Sequence, residues 1–151
     1  DIQARFDRII RDFELLFRYH GYKTEILIEF LCDTYGYDKD ELEAKDSMGI
    51  WDQLQDLSSQ YGLSFDYVRA GTFTDQETGY FRYQFSYGGP TEEIRFFADL
   101  EYRLIKAEFW LLDWFTGSHV NCTDNETIRA VWDGLSDQAE IAFKKAMDEH
   151  T

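Results

Sequence analysis

The sequence predicts an α+β domain with N-terminal helices, a four-stranded antiparallel meander sheet and C-terminal helices. Near both ends of the chain, apolar residues recur every three or four positions, which is the spacing of amphipathic helices. Between residues 63 and 116, apolar and polar residues instead alternate with a period of two, which is typical of half-buried strands. Because we find neither a repeat nor a linker, we expect residues 1–151 to form a single domain.

Three helices are predicted before the sheet. The first covers residues 2–19, where apolar positions alternate with charged ones at helical spacing. The second follows a candidate N-cap at Thr24 and runs to residue 36. The third follows a candidate N-cap at Ser47 and stops at a glycine at residue 62.

Four strands are predicted from the alternation of side chains. They cover residues 63–68, 80–87, 92–97 and 104–116, and Gly88-Gly89-Pro90 supplies the reversal of a hairpin between the middle two. The residues expected to be buried on the inward faces are Phe81, Tyr83, Phe85, Phe96, Phe109 and Leu111. In the last of these strands, Ile105 is predicted on the same side as Phe109. Trp110, Leu112 and Trp114 share the opposite side, which we expect to lie under a helix unless it is a binding surface.

Two helices are predicted after the sheet. An irregular segment over residues 117–122 leads to a helix that Thr123 or Asp124 caps. Gly134 interrupts the helical pattern, and Ser136 is placed to cap a second helix.

The net charge of the chain excludes some classes of ligand. Its 30 acidic and 15 basic residues give a net charge of −15 at pH 7. Nucleic acid and anionic membranes are disfavoured as direct ligands, because binding them requires clustered Lys and Arg. The chain opens without the basic and apolar start of a signal peptide, and the only two cysteines, Cys32 and Cys122, have no paired spacing. We therefore expect a cytoplasmic protein with reduced thiols.

The acid is most concentrated between residues 38 and 56. We call this stretch the acidic segment, and its seven carboxylates face only two lysines, Lys39 and Lys45. They belong to predicted helix and turn, so we expect them at fixed spacings. An array of this kind can imitate the phosphates of DNA and attract the basic cleft of a nucleic-acid enzyme. The alternative is an ordinary solvated face. The candidate partner-binding residues are Asp38, Asp40, Glu41, Glu43, Asp46, Asp52 and Asp56.

Metal and catalytic motifs are weak. Counted from Asp38 as a calcium-binding loop, the sixth position is Glu43 instead of glycine, and the twelfth is Gly49 instead of glutamate. His119 and Cys122 have a ligand-like spacing but lack the further donors that zinc requires. No nucleophile motif is present. We therefore expect no metal, no cofactor and no enzymatic activity.

Two resemblances agree with this interpretation. Gly88-Gly89-Pro90, followed by Leu112-Asp113-Trp114-Phe115-Thr116, resembles a pattern in small acidic proteins of phages and plasmids. In size and charge the chain also resembles anti-restriction and anti-CRISPR proteins that imitate DNA. Both resemblances imply an inhibitor, encoded on a mobile element, that occupies the nucleic-acid-binding surface of a host defence nuclease.

Two other hypotheses remain open. The chain could be an immunity or antitoxin-like protein that neutralises one basic toxin, with aromatic residues as the main contacts. It could instead be a small hydrolase that uses an acidic cleft, although no constellation of catalytic residues supports this. All the binding hypotheses require a basic protein as the partner.

Overall fold

The computed structural model of the chain describes residues 1–62, 64–85, 91–113 and 116–149. These residues belong to two compact units. The helical unit comprises Asp7–Tyr61, and the sheet unit comprises Asp1–Phe6 together with Gly62–Thr151. The elements, in chain order, are α1 (Ile2–Phe17), a 3₁₀ turn (Tyr19–Gly21), α2 (Thr24–Tyr35), α3 (Lys39–Glu43), α4 (Ser47–Gln60), β1 (Ser64–Val68), β2 (Tyr80–Gln84), β3 (Thr91–Ala98), β4 (Leu104–Asp113), β5 (Thr116–Asn121) and α5 (Glu126–Asp148).

The helical unit is built around the apolar faces of the C-terminal part of α1 and of α2, α3 and α4. Its core consists of buried aliphatic and aromatic side chains: Leu15, Leu16, Leu27, Ile28, Phe30, Leu31, Leu42, Ile50 and Leu54. Gly36 ends α2 in the left-handed conformation, with φ of 73°, and its N–H donates to the carbonyl of Cys32. This packing leaves the polar faces of α3 and α4 to carry the acidic segment.

Both helix caps predicted in this unit are wrong by one residue. Lys23 occupies the N-cap of α2 and makes no side-chain cap, so the hydroxyl of Thr24 does not cap the helix. Asp46 is the N-cap of α4, in place of Ser47. A carboxylate that accepts a backbone N–H near the positive end of a helix benefits from the helix dipole as well as from the hydrogen bond.

The sheet is an antiparallel meander in the order β1-β2-β3-β4-β5. Its register places Phe65, Tyr83, Ile94, Phe109 and Val120 side by side across all five strands. The hairpin between β2 and β3 forms as expected, although the glycines and proline assigned to its turn lie outside the described residues.

The prediction of four strands is wrong, because the segment after β4 forms a fifth strand. Gly117, Ser118 and Asn121 have neither high strand propensity nor an apolar alternation, so the sequence indicated an irregular segment. They pair with β4 in a continuous register from Asp113 opposite Thr116 to Glu108 opposite Asn121. An edge strand needs to bury little of its own surface, since backbone hydrogen bonds to its neighbour hold it in place.

The prediction of two C-terminal helices is also wrong, because α5 runs without a break from Glu126 to Asp148. Gly134 lies inside this helix, and the hydroxyl of Ser136 donates to the carbonyl of Asp133 instead of capping a new helix. The N-cap is Asn125, whose side chain accepts hydrogen bonds from two backbone N–H groups of the first turn.

The core of the sheet unit lies between α5 and the inner face of the sheet. The ring of Trp132 packs at 5.4 Å from that of Phe81 and 5.2 Å from that of Phe96, and its indole N–H donates to the carbonyl of Tyr102. Phe6 covers Phe109 at a centroid distance of 5.6 Å. Aromatic pairs at these separations stabilise a core beyond the area they bury.

The predicted buried residues are largely confirmed. Four are buried: Phe81, Tyr83, Phe96 and Phe109. Phe85 and Leu111, by contrast, are half-buried. Ile105, predicted on the side of Phe109 but not among the buried residues, is 61% exposed near the start of β4.

On the opposite side of β4, Trp110 and Leu112 are half-buried, and Trp114 lies outside the described residues. The aromatic ring of His119 on β5 stacks on Trp110 at a centroid distance of 4.3 Å. Among the helices described, none combines the length and the apolar character that crossing a membrane requires.

Candidate functional site

The acidic segment lies on ordered backbone, as the sequence predicts. Asp40, Glu41 and Glu43 belong to α3, and Asp52 and Asp56 belong to α4. Asp38 and Asp46 are the residues that precede these two helices. All seven carboxylates are exposed to solvent. The helical unit therefore presents a set of negative charges held by two helices and the short turn that joins them.

Three of these carboxylates have structural partners. Asp38 accepts a hydrogen bond of 3.1 Å from the backbone N–H of Glu41, and Asp46 accepts one of 2.8 Å from that of Gly49. Glu43 lies 3.7 Å from the ammonium group of Lys39, which is an exposed pair of small energetic value. The presence of these three acids is thus explained by helix capping and pairing on the surface.

The other four carboxylates have no such explanation. The side chains of Asp40, Glu41, Asp52 and Asp56 make neither a hydrogen bond nor an ion pair with any residue in the described ranges. Asp52 and Asp56 are four residues apart on α4, so they lie on the same side of the helix, about 6 Å apart along its axis. Two like charges in this arrangement destabilise a helix slightly.

A second acidic feature, which the sequence did not reveal, adjoins α3. A groove of about 610 Å³ is lined by residues of α2 and α3 and by Lys45. Its acidic residues from α2 are Glu25, Glu29 and Asp33, which repeat every four residues, and its floor includes Ile28 and Cys32. The spacing of four residues could have revealed this row of three acids in the sequence. Acidic residues are common on the polar face of any helix, however, so the row does not stand out. We call the groove as a whole the α2 groove.

The two lysines of the acidic segment reach this groove. Lys39 and Lys45 both line it, together with Glu43 of α3 and the three acids of α2. Four carboxylates against two ammonium groups leave the α2 groove negative. The helical unit therefore carries a row of acids on α2, beside α3, in addition to the carboxylates of residues 38–56.

His119 and Cys122 do not combine into a site. His119 is exposed on the edge strand, where its ring stacks on Trp110 and its Nε2 lies 3.8 Å from a carboxylate oxygen of Glu108. Cys122 is buried, and burial raises the pKa of its thiol to about 12, so the thiol stays protonated at neutral pH and is a poor nucleophile or ligand. Within the described ranges, no three His, Cys, Asp or Glu side chains are grouped so that they could hold a metal ion.

No family model, no curated protein and no solved structure matches this chain. The arrangement of its own residues is therefore the basis on which a function can be assigned.

Proposed function

We propose that the chain is a non-enzymatic binding protein whose acidic surface occupies the nucleic-acid-binding site of a basic partner. The partner that fits best is a host defence nuclease of the restriction or CRISPR type, whose cleft must carry clustered Lys and Arg to bind phosphates. In this proposal the protein blocks substrate by imitating its charge. The expected compartment is the cytoplasm, where such nucleases meet DNA.

One observation carries the proposal: four exposed carboxylates on α3 and α4 have no structural partner in the described part of the chain, although their charge opposes folding. Asp52 and Asp56 repel each other across one helical turn, and the whole chain adds to this repulsion at −15. Exposed carboxylates that neither cap a helix nor form an ion pair are more easily explained by a partner that supplies the positive charge.

The helical setting supports imitation of an ordered ligand. DNA presents phosphates at regular intervals along a stiff axis, and a protein that imitates it benefits from carboxylates held on rigid elements. Carboxylates on α3 and α4 need little ordering on binding, whereas those of a disordered acidic tail would lose conformational entropy. The acids of the α2 groove extend the negative surface and are available to a second row of basic side chains.

The test is an affinity capture with three versions of the protein as bait. The first is the wild type, and the second carries Asp40→Lys, Asp52→Lys and Asp56→Lys, which remove no cap and no ion pair. The third is a matched control with Asp133→Lys, Asp137→Lys and Glu149→Lys, all exposed near the C-terminus. Both variants change the net charge from −15 to −9.

We expect the wild type and the control to retain the same nucleic-acid-binding protein from a bacterial lysate, and the acidic-segment variant to lose it. Each reversed contact should weaken binding by about 1–3 kcal/mol, because repulsion replaces an attraction at a partly desolvated site. Equal losses in both variants would mean that net charge alone governs binding. Retention by all three baits would exclude the acidic segment as the contact surface.

A further inference from the structure

The last strand of the sheet, β5, has an open edge. The strand order ends at β5, so this strand pairs with β4 on one side and with no described strand on the other. At the opposite end of the sheet, α5 packs against the edge strand β1, where the ring of Phe143 lies 4.9 Å from that of Tyr67. On β5, by contrast, Gly117, His119 and Asn121 are all exposed.

The backbone groups that point out from this edge follow from the hydrogen bonds on its other side. Continuing the register places Cys122 opposite Ala107, and the N–H of Cys122 donates to the carbonyl of Ala107 at 2.9 Å. In an antiparallel pair, residues that exchange such bonds alternate with residues whose N–H and C=O groups point away. The N–H and C=O groups of Gly117, His119 and Asn121 therefore face outward. A row of this kind is a template for a further strand.

The edge carries none of the features that commonly prevent such pairing. Edge strands are often protected by a lysine, a proline or a β-bulge. The segment Thr116–Asn121 contains neither lysine nor proline, and its register with β4 is continuous. Another extended strand can therefore approach it without a steric or electrostatic obstacle from the strand itself.

The charge of this edge favours a second copy of the chain over a basic partner. Of the 151 residues 30 are acidic, yet residues 114–123 include no Asp or Glu. Glu108, opposite Asn121 on β4, is compensated, because it lies 3.7 Å from the ammonium of Lys106 and 3.8 Å from Nε2 of His119. Two copies with a charge of −15 repel each other over most of their surface, whereas this edge lets them approach. A basic partner would find no carboxylate along the strand.

The outward groups are also arranged so that the edge can pair with itself. If a twofold axis passes through His119, the two His119 residues lie opposite each other, and each Gly117 lies opposite Asn121 of the second copy. Outward-facing residues then meet only outward-facing residues, which allows two hydrogen bonds in each opposed pair and about six in all. An axis through any other residue of the strand aligns fewer of them.

We propose that the open edge of β5 binds the same edge of a second copy of this chain, so that the two sheets join into one continuous antiparallel sheet. His119 stacks on Trp110 with ring centroids 4.3 Å apart, so the two histidines continue a row of four rings across the axis. Gly117 has no side chain and leaves room for Asn121 of the second copy. The interface uses no residue of the acidic segment and is independent of the proposed function.

The first test is sedimentation equilibrium of the full chain between about 20 µM and about 1 mM. The mass should rise from 18.0 kDa towards twice that value, with a dissociation constant below about 300 µM, since pairing of one short strand makes a small interface. Raising the salt from about 50 mM to about 500 mM should strengthen the dimer, because it screens the repulsion between two acidic copies. Binding to a basic partner has the opposite salt dependence. A monomer mass throughout both series would overturn the proposal.

Two variants locate the interface. His119→Pro removes an outward N–H and no hydrogen bond to β4, and proline is tolerated on an edge strand at such a position. His119→Lys keeps the backbone groups but places two ammonium groups opposite each other at the axis. Each should weaken the dimer at least about tenfold. Gln138→Lys, exposed on α5, makes the same charge change as His119→Lys and should dimerise like the wild type. Dimers of wild-type affinity in both His119 variants would exclude this edge.

Amide hydrogen exchange of the wild type, measured by NMR, tests the strand pairing without any substitution. Between about 20 µM and about 1 mM, exchange at Gly117, His119 and Asn121 should slow with the fraction of dimer, because their N–H groups become hydrogen-bonded. The N–H groups of Ser118 and Val120 already bond β4 and should change less. A dimer in which the three outward amides exchange as fast as in the monomer would be built on another surface, and the proposal would be wrong.

Discussion

At the scale of single residues, the acidic segment contains carboxylates of two kinds. Asp38 and Asp46 each accept a backbone N–H at the start of a helix and would be favoured there in any protein. The side chains of Asp52 and Asp56, within α4, neither cap the helix nor form a hydrogen bond or ion pair with any described residue. All four side chains are exposed. The capping hydrogen bonds therefore distinguish the acids that stabilise the fold from those that are available to a partner.

This division predicts different effects on stability. Asp46→Ala should lower the free energy of unfolding by about 0.5–2 kcal/mol, since the N–H of Gly49 loses its partner. Asp56→Ala should change it by less than about 0.5 kcal/mol or raise it slightly, because alanine favours helix and removes a repulsion with Asp52.

Urea denaturation of the two alanine variants and the wild type measures both effects. A loss of more than about 1 kcal/mol on replacing Asp56 would give that residue a structural role, and its charge would then need no partner to explain it.

At the scale of elements, the helices and strands that have a clear pattern in the local sequence were predicted best. The alternation of aromatic residues along β2 correctly indicated a strand with Phe81 and Tyr83 facing the core. The fifth strand has no such signal, because its residues are held by pairing with β4 and bury little surface of their own. Gly134 and Ser136 carried a local signal for a break, but the apolar residues on either side of them favour one continuous helix.

The candidate sites differ in the same way: a site made of neighbouring residues could be predicted from the sequence, whereas a site made by tertiary packing could not. The acidic segment is contiguous in sequence, and its exposure could be predicted from polarity alone. The α2 groove forms only because α3 packs beside α2. A cavity lined by residues 73–78, Arg95 and Trp110 forms only because the loop between β1 and β2 lies near the strands. Contacts between segments distant along the chain are set by tertiary packing, which no local pattern encodes.

The continuity of α5 leads to a test at this scale. Gly134 lies in the helix interior, and a Cβ added there would meet no described atom within 4 Å apart from the adjacent residues and the backbone of its own helix. Gly134→Ala should therefore raise the free energy of unfolding by about 0.4–1 kcal/mol, because alanine loses less backbone entropy on forming a helix.

Thermal or urea denaturation of Gly134→Ala is compared with that of Gly36→Ala, the matched control. Gly36 has a φ of 73°, a conformation that alanine adopts poorly, so that variant should be less stable than the wild type. Destabilisation by Gly134→Ala of more than about 1 kcal/mol would indicate a break in α5 at this residue.

At the scale of the whole molecule, the net charge of −15 is the property that most needs a reason. Helix capping and ion pairing explain three of the seven carboxylates of the acidic segment. A positively charged partner would explain the other four, which lie on α3 and α4. The sheet unit has a different character, with its charges paired along the outer face: Arg82 binds Asp66, and Arg95 binds Glu93. The proposed inhibitory surface accordingly belongs to the helical unit.

The most direct test of the proposed function is displacement of DNA from the captured partner. A short labelled duplex is bound to the partner, and the protein is titrated in at several salt concentrations. We predict that the wild type displaces the duplex competitively and loses affinity steeply as salt rises, as phosphate-like contacts require. The variant with Asp40, Asp52 and Asp56 changed to lysine should not displace it. Formation of a ternary complex of protein, partner and duplex would contradict imitation of DNA and would favour neutralisation of a basic toxin at another surface.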